Sequence, residues 1–413
     1  VIRESATEGT ESTERVARHV VSVLSVPSVA LFFLVIAVSA RAEDKKLSRT
    51  EDLVVLTGAD LRQLKGIHQD LVRLYASHEG KLAPIAFQVD KKTPELEYCW
   101  TTGPEPVKDV REGKLDEDDE LVFRARDAGE KTSDTVPGAT LRLEVELEDP
   151  DDGARGFAYL LAFEDKAPAK TSSRFVEVLP AREGGAVFRT GAFEIAATGS
   201  SGLTGRPANI RFRQPDGSFG PVVVRDAARL SLHASYLLAR IDRGPTETRS
   251  SLGSTYLEGP VRALAPVTLE VYLISGHWIT SSRAFIAVHD HTFELRAHFA
   301  VPVSLDRDHA SEARLTLVPG EAASSWQASG GEGLAAIFGK EGGVATRLEL
   351  DRRLSLKAST PPEIALDLTG LHKSDDTTPY DVTAVVLVLP SAKREDLDRL
   401  ILSRDKPLKR AVR

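Results

Sequence analysis

The sequence predicts an all-β chain of antiparallel β-sandwich domains, and three observations carry that prediction. Apolar and polar residues alternate through most of the chain, which is the period of strands with one buried and one solvated face. Turn formers punctuate the alternation, as in Asp149-Pro150-Asp151-Asp152-Gly153, Gln214-Pro215-Asp216-Gly217 and Arg243-Gly244-Pro245. Helical spacing is confined to short stretches.

From the N-terminus, the first element is a leader. Residues 20–40 carry no charge, follow Arg15 and Arg18, and end in Ala40-Arg41-Ala42 before Glu43-Asp44-Lys45-Lys46. That pattern is an export signal with a small-x-small cleavage site, so residues 1–42 are read as a signal peptide forming an N-terminal signal helix. An uncleaved anchor competes, because an uncharged run of about 18 residues can span a bilayer; Pro27 and the serines around it weaken that reading. The chain opens on Val1 and holds no methionine, which we read as a non-ATG start in a prokaryote or as a trimmed fragment. The expected address is the periplasm or the extracellular space, with the membrane met only through the signal segment.

Next, 59–74 shows weak helical spacing of Leu61, Leu64, Ile67, Leu71 and Leu74, interrupted by Gly66. Strands are expected at 87–90, 120–126, 140–148, 156–164, 174–179 and 186–196. The clearest is 140–148, with leucines and valine on one side and charges on the other. These form an N-terminal β domain, 43–200, closed by a Gly/Ser-rich stretch at 198–207. A larger β-sandwich domain, 201–413, takes strands at 269–274, 283–303, 313–318, 345–350, 363–368 and 381–389. Its glycine-rich stretch 320–343 reads as a loop, and 391–403 as a short C-terminal helix capped by Ser391. The basic end, 406–413, reads as frayed and solvated.

A net charge of −8 argues against a nucleic-acid partner, which clustered Lys and Arg would have to hold by displacing counterions. Cys99 is the only cysteine, so packing rather than disulfides must hold the exported body together. Its setting, Glu97-Tyr98-Cys99-Trp100, reads as a buried apolar thiol rather than a nucleophile.

Three constellations could carry chemistry. In the acidic run 112–120, Glu112, Asp116 and Asp119 occur around Gly113 and Leu115 as in the second half of a calcium loop. The first half is missing, since Lys108 and Val110 stand where carboxylates belong, and a solvated acidic loop is the blander reading. His289-Asp290-His291, if extended, aims both imidazoles at one face and could bind zinc with a third ligand. If instead Asp290 is the tip of a hairpin, the two histidines merely end strands. Finally, His277, Glu270 and Arg283 are candidate catalytic groups of a sugar-active sandwich, with Trp278, Tyr272 and Tyr256 as stacking surfaces. Aromatics in such strands also serve as core. No cofactor is expected beyond calcium or zinc at these places.

A set of phrases recurs in order: Pro84-Ile85-Ala86-Phe87-Gln88-Val89-Asp90, then Asp119-Glu120-Leu121-Val122-Phe123, then Glu258-Gly259-Pro260-Val261-Arg262. The order resembles a group of uncharacterised exported bacterial all-β proteins with Pro-Phe-Gln-(Ile/Val)-Asp and Asp-Glu-Leu-Val-Phe phrases. Ile85 and Ala86 separate Pro84 from Phe87, a departure from the first phrase. The resemblance implies export and β structure, and no catalytic residue.

The reading is therefore an exported cell-envelope β-sandwich protein with a binding or structural role, whose partner is a polysaccharide or another envelope protein. Its alternatives are a carbohydrate-active enzyme or sugar-binding module, and a metal-dependent hydrolase using His289 and His291.

Overall fold

Strand follows strand from Leu53 to Val412 in the computed structural model. It describes residues 47, 49, 51–104, 106–180, 185–198, 209–236, 239–244, 248–253, 255–272, 278–301, 304, 305, 307–321, 327–331, 333–374, 378–391, 393, 395, 396, 399, 401 and 406–413. The expected signal helix and most of the stretch 198–207 lie outside those residues. Residues 46–413 fold as one compact unit.

Seven strands come first: β1 (Leu53–Thr57), β2 (Val72–His78), β3 (Lys81–Pro84), β4 (Phe87–Asp90), β5 (Glu120–Arg124), β6 (Ala139–Glu148) and β7 (Arg155–Phe163). Then come β8 (Val176–Pro180), β9 (Gly185–Thr190), β10 (Phe193–Thr198), β11 (Asn209–Arg213), β12 (Phe219–Tyr236) and β13 (Ala239–Arg243). Next are β14 (Thr248–Leu252), β15 (Leu257–Glu258), β16 (Ala263–Tyr272), β17 (Trp278–His289), β18 (Thr292–Phe299) and β19 (Glu312–Pro319). The last are β20 (Gln327–Gly331), β21 (Leu334–Gly339), β22 (Gly342–Leu350), β23 (Ser355–Lys357), β24 (Glu363–Asp367), β25 (Tyr380–Pro390) and β26 (Lys409–Val412).

The first layer pair is small. A three-stranded sheet, β1-β5-β4, packs on a five-stranded one, β26-β6-β7-β2-β3. β7 reads Gly156-Phe157-Ala158-Tyr159-Leu160-Leu161-Ala162-Phe163 because both of its faces are buried. Ala158, Leu160 and Ala162 meet Leu56 and Phe123 in one core, while Phe157, Tyr159, Leu161 and Phe163 gather with Tyr75 on the other side. β6 alternates because its inward Leu143, Val145 and Leu147 face that first core and its other side carries charge.

The rest is a sandwich of two antiparallel nine-stranded sheets. One runs β23-β24-β19-β12-β11-β10-β9-β8 with β13 beside β12; the other runs β14-β16-β17-β18-β25-β22-β21-β20 with β15 beside β16. Their main core joins Phe188, Phe193, Ile195 and Phe212 of the first sheet to Ile286, Phe293, Val344 and Val386 of the second. Burial of such side chains, at about 1.5–3 kcal/mol each, is the dominant favourable contribution.

Several expectations are corrected here. The division at residue 200 falls inside one sheet, since β8, β9 and β10 pair onward to β11 and β12. Sheet membership changes earlier, between β7 and β8, and β26 returns to the first layer pair. The spacing at 59–74 yields only single 3-10 turns, Arg62–Leu64 and Gln69–Leu71, before β2. Gly66 there donates its N–H to Leu115 O at 2.8 Å, which draws the backbone out of helical bonding. Expected strand 186–196 is a hairpin, whose turn is held by Thr190 Oγ1 accepting from Ala192 N and Phe193 N at 3.1 Å each. The stretch 320–343 contains β20 and β21, and most of its glycines lie within or at the ends of strands. Gly342, for instance, has φ +134° and room for no Cβ beside Leu389 O. In 391–403, Glu395, Asp396, Arg399 and Ile401 are helical, and the Lys393 N–H is capped by Asp396 rather than by Ser391.

The basic end is not frayed. β26 pairs with β6, setting Lys409 opposite Glu148 and Ala411 opposite Glu146. Lys409 Nζ lies 2.8 Å from Glu148, Lys406 Nζ 2.7 Å from Asp151 and Arg413 2.9 Å from Glu146. The carboxylates that gave β6 its polar face are the partners of this tail.

Candidate functional site

The familiar phrases of the sequence converge on one buried seam. Gln88 Oε1 accepts from Val261 N at 2.9 Å and Arg262 N at 2.8 Å, and Gln88 Nε2 donates to Asp90 at 2.7 Å. Arg262, 2% exposed, donates to Asp90 at 2.7 Å and to Glu120. Lys92 pairs with Glu120, and Tyr98 Oη donates to it at 3.1 Å. Burial opposes ionisation of Glu120, but Arg262 and Lys92 outweigh it and hold the carboxyl down at about 2. Gly259 is required by close approach, because a Cβ there would fall 2.1 Å from Gln88 Oε1. With its donors and acceptors used internally, this cluster ties β4 and β5 to the sandwich and leaves nothing to offer a ligand.

A cleft of about 610 Å³ opens nearby. One wall is the end of β5, the turn after it and the tip of the β17–β18 hairpin. There Arg124 grips Asp127 with Nε and Nη2 at 2.9 and 2.7 Å, reaches Asp290 at 3.4 Å, and stacks its guanidinium 3.1 Å from the Phe175 ring centre. Arg126 lies 2.6 Å from Glu51 and 3.9 Å from Asp290, and His291 Nδ1 lies 2.5 Å from Glu51. The floor is the start of β8, where Arg174 meets Glu258 at 2.9 Å. The far wall comes from the β9–β10 turn and the end of β11. Arg189 pairs with Glu194 across the hairpin at 2.8 Å, and Arg213 donates to Thr190 O at 3.2 Å. The guanidinium carbons of Arg189 and Arg213 sit 5.4 and 5.7 Å from the Phe219 ring. Planar donors and carboxylate acceptors thus line one space.

The residues expected from sequence do not assemble as a unit. His277 lies outside the described residues. Glu270 is half-buried in β16, opposite Arg249 and Thr280, while Arg283 lies in β17 opposite His298. Tyr272 and Trp278 are register partners at the end of the β16–β17 hairpin. Tyr256 packs against the sandwich core and bridges Thr102.

The His-Asp-His segment is the hairpin tip, not an extended strand. His289 pairs in register with Thr292, and Asp290 takes φ 27°, a left-handed conformation that aspartate tolerates. The rings accordingly find different partners: His289 Nε2 lies 3.9 Å from Glu294, and His291 meets Glu51. Among the described residues, no group of three His, Cys, Asp or Glu stands in metal-holding geometry.

In the acidic run, Glu112 is exposed at φ 52°, whereas Asp116 and Asp119 are buried. Their oxygens meet protein cations: Arg111 lies 3.0 Å from Asp116, and Lys91 Nζ sits against Asp119 and 3.6 Å from Asp109. The ammonium of Lys91 stands where a calcium ion was envisaged. Cys99 is 1% exposed, and burial pushes its thiol up to about 11, so it is protonated near neutrality.

Sequence reasoning missed the cleft because its residues lie on six separated segments. Local marks near it were the turn at Gln214–Gly217, the Asp290-His291 segment and Glu258 of the recurring phrase, none of which pointed to the arginines.

No protein-family model matches the chain, and no curated protein does. Among solved structures, the chain is similar to an alpha-mannosidase from Enterococcus faecalis V583, with TM-score 0.45 and 8% identity over 88% of this chain and 44% of that one. It is also similar to a protein in the glycosyl hydrolase family 38 from Enterococcus faecalis, with TM-score 0.47 and 7% identity over 89% of this chain and 46% of that one. The chain spans less than half the length of either.

Proposed function

We propose that this chain is a saccharide-binding β-domain of an exported protein, and that the arginine-walled cleft is its binding site. The observation that carries the reading is the lining of the cleft. Arg124, Arg126, Arg174, Asp290 and Glu258 alternate donor-only and acceptor-only groups around about 610 Å³, with Phe175 at the floor. Sugar hydroxyls both donate and accept, so they are matched by guanidinium and carboxylate forks set side by side. The space falls within the roughly 300–1,000 Å³ of ordinary ligand sites.

Calorimetric titration of the protein with a panel of neutral and acidic oligosaccharides tests the reading. Binding is expected, and Arg174→Ala and Asp290→Asn should each weaken it about tenfold, as loss of one charge-assisted hydrogen bond does. Failure of every saccharide to bind, or wild-type affinity in both variants, would overturn it.

A further inference from the structure

We infer that the wall formed by the β9–β10 turn and the end of β11 is an anion subsite, centred on Arg213, so that the preferred ligand is a saccharide bearing carboxylate or sulfate groups. The inference rests on the saccharide-binding reading and specifies its ligand.

The argument starts from the ion pairs of the cleft. Arg124 has Asp127, Arg126 has Glu51, Arg174 has Glu258 and Arg189 has Glu194, each within 2.9 Å. Arg213 differs. Among the described residues its guanidinium meets no carboxylate within ion-pair distance; it donates to the backbone oxygen of Thr190. Asp216, in the following turn, is engaged by Ser218 N at 2.9 Å and Ser218 Oγ at 2.6 Å. The neighbouring strand positions do not neutralise it either. The nearby strand positions hold two carboxylates, both placed against other arginines: Glu194 lies 2.8 Å from Arg189 and 3.8 Å from Arg211, and Glu177 stands opposite Arg189 in register.

Arg213 is held in place before any ligand arrives. Phe219 is its register partner, with the ring 5.7 Å from the guanidinium, and Thr190 O fixes one Nη. A guanidinium ordered in advance loses little rotamer freedom on binding. It keeps further N–H donors for an incoming oxyanion. Access is open, because Arg213 is exposed and lines the cleft. Neutral hydroxyls are served by the paired arginines; an uncompensated, preset fork calls for an anion.

The test compares neutral oligosaccharides with oligouronates and with sulfated oligosaccharides of equal length, on wild type and Arg213→Gln, at two salt concentrations. The acidic ligands should bind about tenfold more tightly than neutral ones at low salt, an advantage cut by salt. Arg213→Gln should remove that advantage by weakening the acidic ligands about tenfold more than the neutral ones, and the uronate and sulfate arms tell which anion is meant. Equal binding of neutral and acidic ligands overturns the inference while leaving saccharide binding intact. An acidic preference that survives Arg213→Gln also overturns it. Absence of all binding defeats both readings. Arg213 is exposed, and unchanged thermal unfolding of the variant would exclude misfolding as the cause.

Discussion

The seam around Arg262 and the cleft around Arg213 are built from the same chemistry and serve opposite ends. At the seam, Arg262, Asp90 and Gln88 lie buried beside the partly buried Glu120, and their hydrogen bonds run to one another. In the cleft, Arg174 and Arg213 are exposed at the surface, although each also bonds within the chain, to Glu258 and to Thr190 O. Charge density alone therefore does not mark a site. What separates the two is whether the groups are closed upon each other or open to solvent, because a buried ion pair broken on one side leaves its partner stranded in low dielectric.

The contrast is sharpened most by Arg262→Ala. It leaves the buried Asp90 with Gln88 alone and takes from Glu120 one of its two cations, and should destabilise the fold by about 3–5 kcal/mol in urea unfolding. A loss below about 1 kcal/mol would mean that the seam is not structural. A somewhat smaller effect belongs to pH. Glu120 titrates near 2 in the fold and near 4.5 when unfolded, so its contribution is complete above that upper value and disappears as pH falls toward 2. Wild type should lose on the order of 3 kcal/mol more stability than Glu120→Gln over that interval, measured by denaturant melts at successive pH. The smallest expected change in stability is at the cleft. Arg174→Ala should alter it by no more than about 1 kcal/mol, since the Glu258 pair is largely solvated, even as saccharide affinity falls. Equal destabilisation by the Arg262 and Arg174 variants would erase the distinction.

Much of the architecture was legible because alternation is a local signal. β6 and β19 announce themselves by it, and the all-β class followed. Where the signal failed, tertiary demands had altered it. β2 carries Arg73 among buried neighbours, its guanidinium folded back onto backbone oxygens of Asp70 and Val72, so the run did not read as a strand. β12 is long and broken by register shifts near Asp226, which blur its period. The tail was misjudged because its partner strand lies 261 positions away. The seam left a trace in the Phe87–Asp90 and Glu258–Arg262 phrases, whose common purpose only their meeting explains. The cleft left only Glu258 and the Asp290-His291 turn as marks, since Arg124, Arg174, Arg189 and Arg213 are brought together by sheet packing.

The pairing of β26 with β6 carries a consequence for biogenesis. A chain threaded out amino-end first presents β6 long before its edge partner exists, so the five-stranded sheet stays one strand short until translation reaches Val412. Completion of that layer is thereby deferred until residues 409–412 have been made, and an exposed edge must be guarded from other chains in the interval.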